Sequence, residues 1–392
     1  MTSSPSFDEI PTIDLSLAND ASTLPRLLDS LRYALTEVGF LYVANHGVRA
    51  AAIDDLASAL PGLFALDDAA KCAVALENSP HFLGYSGLGS ETTAGRADRR
   101  EQFEFATELP ATWREGLPLC ERLRGPNQWP ENNINLRNVV ETYICELSRL
   151  GERFLELVAR ALDMPAADAF RPFLSDQHRL KLVRYPPPSP SPSSPPTASK
   201  GDDNDNDNDN DSQGVGPHKD SSGWWTFLLQ ASPPEVGGLQ VLNRAGAWVD
   251  VPAVPGTLVV NIGQAFEAVT GGLCPATTHR VVLLPGGSAP APRYSVPFFQ
   301  GVRRDLTRRE AAATAEVVRA RLRGEDGVGS GGGGGGGKGE SDEARKIDAA
   351  FLKGGYDTWG EAQLRTKIRS HRANGRRFYP EVYERYVNDD LV

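Results

Sequence analysis

The sequence is poor in the residues from which several protein classes are built. Its 392 residues include four cysteines and six histidines. Cys72, Cys120, Cys145 and Cys274 form no CxxC pair and no close framework. That excludes a disulfide-stapled scaffold and predicts reduced thiols. No apolar run approaches the ~18 residues of a membrane helix. The segment Met1-Thr2-Ser3-Ser4-Pro5 has no basic region followed by an apolar one, and Asp389-Asp390-Leu391-Val392 matches no recognised address. A cytoplasmic protein is therefore expected. Basic residues are in the minority, 41 Lys and Arg against 51 Asp and Glu, for a net charge of −10. With no basic groove in the pattern, nucleic acid and anionic membranes are not expected partners.

What is present is unevenly spread. The chain is 40% apolar, enough for a core. Its 39 glycines and 29 prolines cluster, and so do its acids. Residues 186–199 are nearly all Pro and Ser, and 202–211 alternate Asp with Asn. Neither stretch has apolar side chains to offset the entropy of ordering, which predicts a disordered surface insert over 187–214. The Asp/Asn run lacks the Gly and terminal Glu of an EF-hand loop, so a calcium site is not expected there. The run Gly331–Gly337 marks a second flexible insert within 324–342.

Between the inserts, periodicity predicts structure. Leu24, Leu27, Leu28, Leu31 and Leu35 have helical spacing, and Gly39–Val43 then reads as a strand closed by Asn45-His46-Gly47. Residues 50–66 and 135–162 read as amphipathic helices, the second a scaffold helix with Val139, Tyr143, Leu147, Leu150, Phe154 and Leu157 on one stripe. Short β runs follow at 180–185, 225–229, 238–242, 247–251, 257–262, 280–284 and 294–299, the spacing of a sandwich or barrel. Helical patterns return at 307–322 and 358–369. No extended apolar stripe is left over, so a monomer is expected.

The chemistry begins at His218-Lys219-Asp220. Positions i and i+2 of an extended chain share a face, so imidazole and carboxylate could bind one ion. His279, at the start of another strand, offers a third ligand. Two His and one carboxylate on one face of an octahedron leave three positions open, the arrangement of non-haem Fe(II) oxygenases. Either histidine alone reads better as a solvated or core residue. Fourteen residues beyond His279, Arg293-Tyr294-Ser295 is another i, i+2 pair. Its guanidinium and hydroxyl suit a carboxylate. The intervening Pro285-Gly286-Gly287-Ser288 is turn chemistry, which predicts that these two strands neighbour each other.

In this order the motifs resemble those of the isopenicillin-N-synthase-like family of Fe(II)/2-oxoglutarate-dependent dioxygenases. The amino-terminal pieces are Ile10-Pro11-Thr12-Ile13-Asp14-Leu15, residues 39–47 and Gly84-Tyr85. The core pieces are Pro217-His218-Lys219-Asp220, residues 237–241, Pro255-Gly256-Thr257, Val260-Asn261-Ile262-Gly263, Thr278-His279-Arg280-Val281 and Arg293-Tyr294-Ser295. The resemblance covers nearly all of the chain outside the inserts.

It implies a mainly β fold with flanking helices (α+β): a double-stranded β-helix, or jelly-roll, with a helical amino-terminal region. The division it implies is an amino-terminal domain at 8–125, a scaffold helix at 135–165, the jelly-roll core at 176–303 and C-terminal helices at 304–392. His218, Asp220 and His279 would hold Fe(II) as the catalytic centre. Arg293, Ser295 and Tyr185 would hold the cosubstrate 2-oxoglutarate. With O2 as the second cosubstrate, the cosubstrate would be decarboxylated to succinate while a small molecule, of secondary metabolism, is hydroxylated or desaturated. Trp224, Trp225, Phe227 and Phe299 are the candidates for touching substrate. His46 reads as a turn-stabilising residue and Cys274 as a plain buried thiol.

Three positions depart from the family pattern. Val183 stands where the family has Asn, Gln264 where it has Asp, and Ser221–Trp225 carries one extra residue. They imply an altered substrate pocket. Two other readings follow from the same residues: an oxidase or cyclase of the isopenicillin N synthase type that uses no 2-oxoglutarate, and an inactive jelly-roll binding protein.

Overall fold

The computed structural model describes residues 6–93, 95–131, 134–187, 213–284, 291–323 and 351–388. The predicted inserts, 187–214 and 324–342, lie outside the described residues apart from Pro187, Gln213 and Gly214. The last two begin a strand, so ordered structure resumes earlier than expected.

The amino-terminal third runs β1 (Thr12–Asp14), α1 (Leu24–Tyr33), β2 (Phe40–Ala44), α2 (Ala50–Phe64), α3 (Asp68–Ala73), β3 (Gly84–Ser86), β4 (Thr92–Thr93), β5 (Arg96–Ala97) and β6 (Glu101–Ala106). The long helix α4 (Ile134–Ala161) leads to β7 (Arg179–Tyr185), β8 (Gln213–His218), β9 (Trp225–Gln230), β10 (Leu239–Leu242), β11 (Trp248–Asp250) and β12 (Thr257–Ile262). Then come α5 (Gln264–Val269), β13 (His279–Val282), β14 (Arg293–Phe299), α6 (Arg308–Arg323), α7 (Trp359–Ser370), α8 (Arg372–Phe378) and α9 (Pro380–Asn388).

Two sheets carry the site. The larger has eight strands in the order β1-β2-β12-β9-β14-β7-β6-β3, the smaller four in the order β11-β10-β13-β8. The fold is mixed α/β, and the described residues do not close into a barrel. The amino-terminal region is less purely helical than expected, because β1, β2, β3 and β6 join the larger sheet. The strands bearing His279 and Arg293 are not neighbours. β13 pairs with β10 and β8 in the small sheet, β14 with β7 and β9 in the large one. The two strands belong to different sheets.

Strand parity sorts the core into two clusters. Trp225, Phe227, Val260, Ile262, Val296, Phe298, Leu180 and Leu182 face the helical side, packed with the stripe of α4. Phe154 of α4 meets Trp225 and Phe227 edge-on, at centroid separations of 5.1 and 5.6 Å. The alternate residues Phe40, Tyr42, Val183, Tyr185 and Val259 face the small sheet and pack with Val215, Leu239, Val241 and Val281. Gly39 ends the first helical segment in the left-handed region, φ +73°. A Cβ there would collide with the Thr277 side chain and the Pro275 carbonyl, so this close approach fixes where β13 begins. His46 and Cys274 match expectation. His46 Nδ1 accepts from the Val48 N–H at 3.1 Å, and Cys274 is a buried thiol pushed up to about 12.

His178, just before β7, accepts the Gly301 N–H on Nδ1 at 3.0 Å and packs edge-on to Phe298. Burial, against a weaker pull from Asp176, pushes its imidazole down to about 4 from 6.5. The unfolded chain therefore binds the extra proton between those values. Stability is intact above pH 6.5 and falls as pH drops toward 4, by roughly 3 kcal/mol from this residue. Urea unfolding at pH 7, 5.5 and 4.5 measures it. His178→Gln, whose amide oxygen still accepts from Gly301, is expected to flatten that slope; an unchanged slope would assign it to other groups.

Candidate functional site

β8 and β13 lie side by side with His218 opposite His279, their rings 4.2 Å apart between centroids. Asp220 follows β8 by two residues and completes the group. The three ligand atoms lie within 4.8 Å of one another. The small sheet therefore supplies both imidazoles, and the loop from β8 to the large sheet supplies the carboxylate.

Each ligand is oriented by a second contact. His218 Nδ1 lies 2.9 Å from the Gly216 carbonyl, and His279 Nδ1 lies 3.0 Å from the Thr277 carbonyl. A carbonyl only accepts, so Nδ1 carries the proton in both rings and each Nε2 keeps its lone pair. Asp220 Oδ2 accepts from the Thr226 hydroxyl at 2.5 Å and the Asn261 amide at 2.7 Å. Its Oδ1 is left facing both Nε2 atoms, 3.7 Å from each. Burial favours a neutral carboxyl, but His279, His218 and the two hydrogen bonds outweigh it and hold Asp220 below its ordinary range. Burial and then His279 push His218 down to about 3, so the His218–Asp220 contact is not an ion pair at neutral pH. Two imidazoles presenting Nε2 and one carboxylate oxygen, converging within 4.8 Å, form a donor set suited to Fe(II).

The loop behind Asp220 is held by backbone. Gly263 and Gln264 donate to the Trp224 and Asp220 carbonyls, and a Cβ on Gly223 would collide with the Gln300 carbonyl. Gln264 starts α5, buried beside the site.

A cavity of about 1190 Å³ opens from the ligands. Tyr185, Arg293, Ser295 and Phe299 line it with the three ligands. Arg293 donates through Nε to the Gly237 carbonyl at 2.9 Å and through Nη2 to Gln230 at 3.1 Å. Its Nη1 is buried with no partner, and among the described residues no carboxylate pairs with it. A buried cation with a spare donor fits the far carboxylate of 2-oxoglutarate. Ser295 follows two residues along the same strand face. Tyr185 lies opposite Arg293 on the neighbouring strand, its ring centroid 5.1 Å from the Arg293 guanidinium.

Of the four aromatic candidates, Phe299 alone lines the cavity. Trp225 and Phe227 have the parity of the helical side, and Trp224 packs against Phe170 and Phe266. The alternate residues of β9, Thr226 and Leu228, reach the cavity instead. Sequence reasoning also passed over Arg100, Lys181 and Lys367. Signals for them existed: Lys181 is a cation inside the apolar strand Leu180-Lys181-Leu182-Val183. Gln363, Thr366, Lys367 and Ser370 form a polar stripe at helical spacing on α7, and all four line the cavity.

With this geometry in place, known proteins can be compared. A family model described as the 2OG-Fe(II) oxygenase superfamily matches residues 178–302, and one described as non-haem dioxygenase in morphine synthesis N-terminal matches residues 10–132. The 2-oxoglutarate-dependent dioxygenase frbJ of Dothideomycetidae sp. (strain 11243) is 41% identical over 381 residues, 96% of this chain and 94% of that protein. A 2-oxoglutarate-dependent dioxygenase of Gibberella zeae is 37% identical over 311 residues, 77% of each chain. The crystal structure of a 2OG-Fe(II) oxygenase family protein from Caulobacter crescentus superimposes with a TM-score of 0.61 at 26% identity, covering 81% of this chain and 99% of that one. Among the described residues no helix is long and apolar enough to cross a membrane.

Proposed function

The chain belongs to the 2OG-Fe(II) oxygenase superfamily, and from that membership we propose the roles of its residues. It is a Fe(II)- and 2-oxoglutarate-dependent oxygenase acting on a small organic molecule. Fe(II), bound with 2-oxoglutarate and O2, supplies the oxidising chemistry, which yields succinate and CO2 and puts oxygen on a substrate carbon. His218 and His279 hold the metal through Nε2 and Asp220 through Oδ1. Thr226 and Asn261 keep Oδ2 occupied, so the carboxylate stays in one orientation. Arg293 and Ser295 take the far carboxylate of 2-oxoglutarate, with Tyr185 fixing the guanidinium plane. Phe299 and Leu228 present apolar surface beside the ligands and exclude water.

The observation that carries this reading is the division of labour at Asp220: one oxygen tied to the protein, the other turned to two imidazoles whose protons are both on the far nitrogen. On the same reading the two sheets are the halves of a double-stranded β-helix, and 8–125, 135–165, 176–303 and 304–392 are its working divisions. An inactive binding module has no need of the oriented triad or of the spare donor on Arg293.

Anaerobic loading with Fe(II) and 2-oxoglutarate, then admission of O2, is expected to release succinate and CO2 in equal amounts. Oxygen uptake indifferent to 2-oxoglutarate would favour an oxidase of the isopenicillin N synthase type instead. Iron bound with no oxygen consumed would sink both.

A further inference from the structure

The charge at the metal end of the cavity closes on itself. The Fe(II) dication and the 2-oxoglutarate dianion cancel, and Asp220 balances Arg293. The other end does not close. Arg96, Arg100, Lys181, Lys367 and Arg372 all line the cavity, from β5, the chain just before β6, β7, α7 and α8. Among the described residues three carboxylates answer these five cations, Glu91 on the wall and Asp98 and Glu104 behind it.

Those carboxylates are already engaged, save for Glu104 Oε2, which is buried without a hydrogen bond 3.8 Å from Lys181 Nζ. Glu91 meets Arg100 at 2.5 Å, Gln102 at 2.7 Å and His371 at 3.0 Å. Glu104 Oε1 takes Arg179 and Lys367, both at 2.6 Å, and Asp98 takes Thr93 at 2.8 Å and Arg100 at 3.1 Å. The cations keep spare capacity. Lys181 Nζ comes no closer than 3.6 Å to Glu91 and 3.8 Å to Glu104, beyond hydrogen-bond length, and Arg100 Nε is buried without a partner. Lys367 registers the excess: burial, opposed by Glu104 and reinforced by Arg179 and Lys181, brings its ammonium down to about 8.

Resting on the oxygenase reading, we infer that the substrate is a small-molecule anion whose oxyanion, carboxylate or phosphate, is received at Lys181 and Arg100, with Arg372 at the rim. Lys181, Val183 and Tyr185 share one face of β7, so Lys181 stands four residues, about 13 Å, along the strand from the Arg293 clamp. The two anion positions are therefore separate, and the apolar surface of Val183, Pro297 and Phe299 lies between them for the carbon skeleton. An ammonium or guanidinium substrate would meet a wall of like charge and one acid already saturated.

The test uses the full-length protein with Fe(II) and saturating 2-oxoglutarate, so that added acids cannot occupy the Arg293 end. Matched sets of carboxylic acids, their primary amides, phosphate monoesters and primary amines serve as probes. Thermal shift without O2 and succinate formation with O2 are the readouts. Acids or phosphates are expected to raise the melting temperature and stimulate succinate formation while amides and amines do not; which of the two acts identifies the oxyanion. Lys181→Met is expected to weaken the active anion about tenfold or more, and to leave the KM for 2-oxoglutarate within about twofold. Arg372→Glu, at an exposed position that bears no core contact, is expected to weaken it in the same direction. Amides or amines that match the acids, or unchanged anion affinity in both variants, would overturn the inference while succinate formation still upheld the oxygenase. Failure of the wild-type protein to turn over 2-oxoglutarate at all would count against the oxygenase reading first.

Discussion

Asp220→Ala is expected to leave the protein unable to retain Fe(II) through gel filtration and to cut 2-oxoglutarate turnover by roughly a thousandfold or more. The argument is one of charge and of orphaned donors. Asp220 is the single carboxylate of the triad, and without it two imidazoles, which bring no negative charge, face a dication alone. The Thr226 hydroxyl and the Asn261 amide, both buried, lose their acceptor as well. Thr226→Val separates the two effects. It keeps the ligand but leaves Asn261 as the one side-chain donor on Oδ2, so the carboxylate is held less firmly, and about a tenfold loss of iron affinity is expected, with turnover restored at high Fe(II). Iron content after anaerobic loading and succinate yield measure both variants. Asp220→Ala protein that holds stoichiometric iron would place the metal elsewhere.

How much of this was legible in the sequence follows from what strand parity can and cannot say. It put His218 with Asp220, and Arg293 with Ser295, on common faces, and the cavity takes all four. It does not say which face of a doubly buried strand looks inward, so it leaves Trp225 and Phe227 among the candidates for touching substrate although Phe154 covers them from the helical side. Local turn chemistry suggested that β13 and β14 pair, but pairing is a long-range choice, and His279 sits opposite His218 instead. β8 was hidden by its own composition. Gly214, Gly216 and Pro217 read as loop, yet β8 is the edge of its sheet, where a missing N–H is tolerated. The cations of the far wall converge from segments up to 276 positions apart, Arg96 to Arg372, which periodicity within any one segment does not register.

Arg293 gives the second large effect, and it is separable from the metal. Its Nη1 is the buried donor without a partner, so an anion that satisfies it contributes a charge-assisted contact unavailable elsewhere at that end of the cavity. Arg293→Leu is expected to raise the KM for 2-oxoglutarate about a hundredfold, with iron retention unchanged. Ligand stabilisation converts that into a second, activity-free readout. At a 2-oxoglutarate concentration of about 100 times the wild-type Kd, binding adds about 2.7 kcal/mol to unfolding, and a hundredfold weaker Kd leaves about 0.4 kcal/mol. The 2-oxoglutarate-dependent rise in melting temperature should therefore nearly vanish. Arg293→Lys keeps the charge but not the fork; Nζ cannot serve Gly237, Gln230 and a carboxylate in one plane, so an intermediate KM is expected. A variant whose melting temperature still climbs with 2-oxoglutarate as the wild type does would move the clamp away from β14. Equal losses in Lys and Leu would mean that the planar fork, more than the charge, holds the cosubstrate.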